Sequence, residues 1–308
     1  MNKITENLLK IISDLDGTPE GVAFNIREDS GCAGRESTDN IKIVSKEGAP
    51  GIEIHVAPGT KGEKVYIPAC ITKSGVDDLV YNDFYIGEDA DVTVVAGCGV
   101  HTDGHGESEH NGIHKFMLSK NSKVLYLENH VGTSEVKEPG KRIITPVTEV
   151  IQEAGSYMEM ITSQLGGVDH TVRKTTAIIH EDAKLVVKEK LLTDGQDYAE
   201  SDFIVTLQGD GSGAHIVSRS VAKGTSEQMF RSRLVGNGIC TGHTECDAII
   251  MDKGVVHAIP ELTAANLDAA LIHEAAIGKI AGEQLTKLMT LGLSEKEAEA
   301  KIVDGFLR

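Results

Sequence analysis

Glu88-Asp89-Ala90-Asp91-Val92, Lys120-Asn121-Ser122-Lys123-Val124, Glu153-Ala154-Gly155-Ser156-Tyr157, Glu181-Asp182-Ala183-Lys184-Leu185 and Asp210-Gly211-Ser212-Gly213-Ala214 are variants of one unit. Each is an acidic or polar turn that holds a small residue and leads into an alternating run of Val, Ile and Leu. The small residues at 90, 122, 155, 183 and 212 are separated by 32, 33, 28 and 29 positions. A near-period of that length marks a repeat architecture, in which one coil cannot bury its own inner face and must stack on the next. The strands are short and no helical pattern lies between them, which argues against a doubly wound fold. The expected fold is mainly β, a parallel β-helix or similar solenoid. An antiparallel sandwich, whose strands also alternate and whose turns also carry glycine, is the competing reading.

Upstream of the repeats, Ile4, Leu8, Ile11, Ile12 and Leu15 fall near helical spacing, and Gly17, Pro19 and Gly21 end that segment. Alternating runs such as Ile41-Lys42-Ile43-Val44 and Gly51-Ile52-Glu53-Ile54 then read as strands. Beyond Asn266 the pattern turns helical: Ile280, Leu285, Leu288 and Met289 form a stripe, and Ser294-Glu295-Lys296-Glu297 is a capping box before a last helix. The expected organisation is an N-terminal helix in 1–20, a β-helix core in 21–265 and a two-helix segment in 266–308. Such a tail either caps the stack or docks a partner.

Composition narrows the function. The chain has 30 Lys plus Arg against 47 Asp plus Glu, a net charge of -17, which repels nucleic acid and anionic membrane surfaces. No apolar run is long enough for a membrane helix and the opening Met1-Asn2-Lys3-Ile4-Thr5-Glu6 is not an export signal, so a cytoplasmic protein is expected. The five cysteines, 32, 70, 98, 240 and 246, are then thiols. Aromatic residues make up only 4%, so the core must come from Val, Ile, Leu and Ala, which suits narrow stacked layers.

Two constellations could carry chemistry. In the first, Cys98, His101, His105, His110 and His114 fall within one glycine-rich stretch that reads as a loop. Thiolate and imidazole at these spacings could ligate iron or zinc, although no HExxH or CxxC pattern fixes a ligand set and a solvated polar loop is the plain alternative. In the second, Cys246, His257, His273 and Glu274 each adjoin a strand-like run, so stacked coils could bring them together as a soft-ligand site or as a nucleophile with its base. A cysteine beside a β-run is otherwise simply a small buried hydrophobe.

The second constellation sits in a longer string of residues. His243-Thr244-Glu245-Cys246-Asp247-Ala248-Ile249-Ile250, Gly254-Val255-Val256-His257-Ala258-Ile259-Pro260, His273-Glu274-Ala275-Ala276-Ile277-Gly278-Lys279-Ile280, Glu283-Gln284-Leu285, Gly292-Leu293-Ser294-Glu295 and Ile302-Val303-Asp304-Gly305-Phe306 resemble, in order and spacing, the closing segment of the SufB/SufD family. The resemblance implies a right-handed parallel β-helix that serves as a scaffold for iron-sulfur cluster assembly. It also implies a SufC-type ATPase docked on the C-terminal helices. Cys246 matches the family's cluster or persulfide-accepting thiol, and His273 and Glu274 match the histidine and glutamate that accompany it. Family members meet through the ends of their β-helices, which implies a homodimer or a pair with a SufD-like paralogue. The transient iron-sulfur cluster would be built there, fed by a sulfur donor and passed to apo-protein acceptors. Ile272 stands where SufB-type proteins commonly carry another Glu, and most of the long N-terminal region of the larger members has no counterpart, which implies a compact member. The residues do not decide whether a flavin takes part.

No GxxxxGK followed by Ser or Thr occurs, so ATP hydrolysis falls to the partner and the chain is expected to be a non-catalytic scaffold. Two rival readings are a His-rich metal hydrolase centred on His101, His105, His110 and His114, and a β-helix enzyme acting on an acidic polysaccharide. Neither explains the C-terminal string.

Overall fold

The computed structural model describes residues 2–308. The chain forms a β-solenoid of about eight turns, with a short helix before it and two after it. Two ten-stranded sheets face one another. The first runs, in spatial order, β2 (Gly31–Glu36), β1 (Ala23–Glu28), β5 (Lys61–Ile71), β7 (Asp91–Thr102), β9 (Lys123–Ser134), β12 (Tyr157–Gln164), β14 (Lys184–Thr193), β16 (Gly213–Ala222), β18 (Thr241–Ile250) and β20 (Ala270–Gly278). The second runs β19 (Val255–Ala264), β17 (Glu227–Gly236), β15 (Tyr198–Leu207), β13 (His170–Ile179), β10 (Arg142–Ile144), β8 (Ser108–Leu118), β6 (Asp77–Ile86), β4 (Gly51–Val56) and β3 (Ile41–Ser45). β11 (Val147–Gln152) continues the β10 position between β8 and β13. Odd and even strands thus alternate between sheets through the later coils, and stacking is parallel except in the β1/β2 and β3/β4 hairpins. The sandwich alternative is thereby excluded.

The repeating turn has a physical explanation. Asp89, Asn121, Gly155, Asp182 and Gly211 all adopt positive φ, between 53° and 70°. Asp, Asn and Gly tolerate that left-handed conformation best. The next residue, Ala90, Ser122, Ser156, Ala183 or Ser212, is buried at the corner. The Ser122, Ser156 and Ser212 hydroxyls donate to the carbonyl three residues back at 2.6–2.7 Å, satisfying a buried polar group locally. The corner residue of the third unit is therefore Ser156, one position beyond the Gly155 that the repeat spacing suggested.

Alternation then does the rest. Along each strand every second side chain enters the lumen between the sheets, where Phe84 and Phe116 stack at 4.2 Å and Tyr126 meets Phe116 edge-on. Helix α1 (Lys3–Ser13) is capped by Asn2, whose side chain accepts from the Thr5 amide, and lays Leu8, Leu9 and Ile12 on the outside of the first sheet. Gly99 on β7 makes that contact possible, since a Cβ there would meet Leu8 at 2.8 Å; a Cβ on Gly97 would meet the Asn129 carbonyl of β9 at 2.7 Å as well as Ile12 at 2.9 Å.

The solenoid extends past the expected boundary at 265, because β20 completes a last coil before α2 (Gly282–Thr290) and α3 (Glu295–Leu307) begin. The Ser294 capping box is formed as read. Helix α3 lies along the outer face of the first sheet, with a groove of about 770 Å³ between it and residues such as Ile161, Leu165 and Leu192. The last coil is left uncovered: β19 and β20 have a strand neighbour on one side only, and the lumen-facing Leu262, Ala275 and Ile277 are exposed. Among the described residues no helix is long and apolar enough to cross a membrane.

Candidate functional site at the open end of the solenoid

Strand parity decides what each candidate residue faces. On β18, Thr244 and Cys246 point into the lumen; on β20, their register partners are His273 and Ala275. His273 Nδ1 lies 2.6 Å from the Thr244 hydroxyl, on the lumen side of the final strand, and keeps partial access to solvent through the open end. Burial, then the nearby His243, pushes the His273 imidazole below its ordinary pKa, so it stays neutral and able to coordinate near neutral pH. Cys246 is only 1% exposed, between Ser218 of β16 and Ala275. Burial, reinforced by the negative charge of Glu189 and Asp247, pushes its thiol up to about 12.

The other two members of the set lie elsewhere. Glu274 follows His273 in sequence and so faces outward, where its carboxylate is 3.8 Å from His243 Nε2. His257 faces outward from β19 on the second sheet, 3.7 Å from Glu227. Within one chain Cys246 and His273 share the lumen face of adjacent strands, in direct register with Ala275 and Thr244 respectively, whereas Glu274 and His257 lie on different outer faces.

The histidine-rich stretch is not the loop its glycines suggested. It is β7, a short turn and β8, and the parity of the strands divides its members. Cys98, His110 and His114 enter the lumen. His101 faces outward under α1, its Nδ1 2.9 Å from Thr133 Oγ1, and His105 is in the exposed turn with Nδ1 2.8 Å from the Glu138 carbonyl. The five residues do not meet at one point, and among the described residues no three His, Cys, Asp or Glu side chains are already gathered as a metal site. Burial pushes His114 down to about 4 and raises the Cys98 thiol well above its ordinary value.

Between these two places the lumen holds charged groups that reading by motif overlooked. The Arg173 guanidinium pairs with Glu128, donates to His130 Nδ1 at 3.2 Å and lies 3.6 Å from Glu189. Ser201 and Ser218 donate to the two Glu189 oxygens at 2.6 and 2.7 Å. Burial disfavours the Glu128 carboxylate, but the Arg173 charge and His130 outweigh it and hold Glu128 well below the usual carboxylate range. The signal was in the alternation: Glu128 and His130 share the parity of Val124 and Tyr126.

The shared lumen face of a buried cysteine and a histidine at the end of a parallel solenoid coincides with a match to a known family. The profile of the SUF system FeS cluster assembly SufBD core domain covers residues 80–306. The chain belongs to the SufBD family. The matched span runs from β6 through α3 and includes Cys98, Cys246, His273 and Glu274. An iron-sulfur cluster assembly SufBD family protein of Archaeoglobus fulgidus is 29% identical over 277 residues, 89% of this chain and 72% of that protein. A SufBD family protein of Methanothermobacter thermautotrophicus is 28% identical over 83% of this chain, which spans 62% of that relative's length. One from Methanocaldococcus jannaschii is 27% identical over 77% of this chain and 74% of its own. Family membership ties this SufBD chain to iron-sulfur cluster assembly in the SUF system.

Proposed function

We propose that this SufBD chain is a non-catalytic scaffold on which a nascent iron-sulfur cluster is assembled where the open solenoid ends of two protomers meet. The observation that carries the reading is the shared lumen face of Cys246 and His273 next to an uncovered last coil. Iron and sulfide are cargo here. A thiolate supplies a soft, strongly held ligand and a neutral imidazole a more readily exchanged one, the combination a site needs if it is to build and then release its product. The thiol is protonated in the resting chain, and iron would displace that proton on binding.

The last coil offers both components of an interface: unpaired backbone along β19 and β20, and apolar side chains such as Leu262 and Ile277. A second copy of this chain or a SufD-like paralogue covering them would shut water from Cys246. Glu274, beside the same end but on the outer face, would join the ligands from across that interface. A SufC-type ATPase docking on α2 and α3, of which α2 buries no side chain, would couple nucleotide hydrolysis to opening of the interface. A cytoplasmic site of action, a sulfur donor and apo-protein acceptors complete the proposal.

Size-exclusion chromatography after anaerobic loading with ferrous iron and sulfide tests the interface. The expected result is a dimer that carries the cluster, and a monomer without one for Leu262→Glu. A monomer that retains the cluster would contradict the interfacial site. Co-purification of a SufC-type ATPase with the full chain, lost when α2 and α3 are deleted, tests the docking assignment.

A further inference from the structure

On β19 and β20 every second side chain faces the lumen, and those from Val256 to Leu262 and from Leu271 to Ile277 are apolar with one exception. The exception is His273. A polar ring among apolar neighbours, on a strand with a partner on one side only, needs something specific to hold it.

The coil beneath supplies it. Thr244 has no exposed surface, stands in register with His273 on β18, and places its hydroxyl 2.6 Å from Nδ1. Thr244 Oγ1 also accepts from the buried Ser232 hydroxyl of β17 at 3.4 Å. A hydroxyl has one hydrogen and two lone pairs. With the Ser232 hydrogen on one lone pair, the hydrogen of Thr244 is free for Nδ1, and neither buried hydroxyl is left without a partner. The chain of bonds from Ser232 through Thr244 to His273 crosses the lumen from the second sheet to the last strand of the first. The other ring nitrogen, Nε2, makes no hydrogen bond among the described residues and is not enclosed, so it is the atom that solvent and cargo can reach.

We propose that Thr244 is the positioning residue of His273: its hydroxyl grips Nδ1, sets the plane of the ring and leaves Nε2 as the nitrogen that meets iron. The inference rests on the assembly reading above and adds to it the group that orients its histidine. A hydroxyl suits the place because it serves both neutral forms of the ring. In the resting chain Thr244 donates to a bare Nδ1. When iron takes Nε2, the proton of that nitrogen passes to water and Nδ1 takes one up from water, so the imidazole stays neutral. Nδ1 then donates to Thr244 Oγ1, with the two hydroxyls turned the other way. A hydrogen-bonding partner behind a coordinating imidazole is what fixes its orientation and strengthens its hold on the metal. Thr244 itself touches no cargo.

Two readouts on the full-length chain test this. The first needs no iron. In protein made with isotope-labelled histidine, the Nδ1 resonance of His273, assigned by its loss in His273→Ala, should move by several parts per million in Thr244→Val, which keeps the shape and removes the hydroxyl. Thr244→Ser should return it. The second is the release of iron and acid-labile sulfide after anaerobic loading, several-fold faster from Thr244→Val than from wild type and at the wild-type rate from Thr244→Ser. If Thr244→Val fails to fold, Ser232→Ala, which lets the Thr244 hydroxyl turn away from the ring, carries both readouts. An Nδ1 resonance that stays in place without the hydroxyl, or a moved resonance with release at the wild-type rate, would overturn the assignment. Equal cluster retention by Cys246→Ser and wild type would instead sink the assembly reading, and the resonance would still decide whether Thr244 holds the ring.

Discussion

His273 stands in register with Thr244 and so faces the lumen two residues along from Cys246, on the adjacent parallel strand. That diagonal relationship puts both side chains on the lumen face, where the sulfur is buried. At pH 8 a thiol pushed up to about 12 has roughly 10³-fold less thiolate than an ordinary one. In the isolated chain, alkylation mapped by mass spectrometry should modify the exposed Cys32 first, while Cys246 reacts at least a hundredfold more slowly. Its rate should rise about tenfold per pH unit from 7 to 10 without a plateau. A plateau near pH 8 would mean that the thiol is solvated in solution.

The Arg173–Glu128 pair predicts how the solenoid responds to acid. Glu128 is held below its ordinary value of 4.5, so its contribution is complete above that value and is lost as pH falls through the lower folded one. Urea midpoints should be flat with respect to this group above about pH 5 and should fall below it. Glu128→Gln leaves Arg173 less well paired in the lumen and should cost about 3–5 kcal/mol at pH 7, with much of the acid dependence removed.

Phe84 and Phe116 are fully buried and stacked in the lumen. Phe116→Ala removes one ring from the middle of the stack. A loss of about 3–5 kcal/mol in urea unfolding is expected, and a change below about 1 kcal/mol would show that neighbouring coils collapse into the space.

Gly99→Ala tests the seating of α1. The added methyl group would sit 2.8 Å from Leu8, so the helix must lift at a cost of about 1–3 kcal/mol. Hydrogen exchange should then speed up across Lys3–Ser13 and leave the strands of the later coils unchanged.

Much of the fold was legible because the turn chemistry is local. A residue that tolerates positive φ followed by a small buried corner residue repeats at several of the corners where the chain changes sheet, at Asp89-Ala90 and at Asp182-Ala183 alike. The glycines between Cys98 and His114 misled because their reasons are tertiary. Gly99 makes room for a helix from the start of the chain, and Gly112 for two imidazoles, so a stretch that looks too flexible for a strand is two strands. The candidate thiol and its histidine were legible as a string of residues, but which groups share a face depends on strand parity. His273 and Glu274 are adjacent in sequence and sit on opposite faces of β20. The corner at Ser156 differs by one position from the repeat spacing because Gly155 takes the positive-φ position of the turn.

The central claim is that Cys246 and His273 together hold the assembling cluster. Its most direct test is the amount of iron and acid-labile sulfide retained per chain after anaerobic loading, compared among wild type, Cys246→Ser and His273→Ala. The account predicts that Cys246→Ser keeps less than a tenth of the wild-type amount and that His273→Ala releases what it binds several-fold faster. Equal retention by Cys246→Ser and wild type would contradict it.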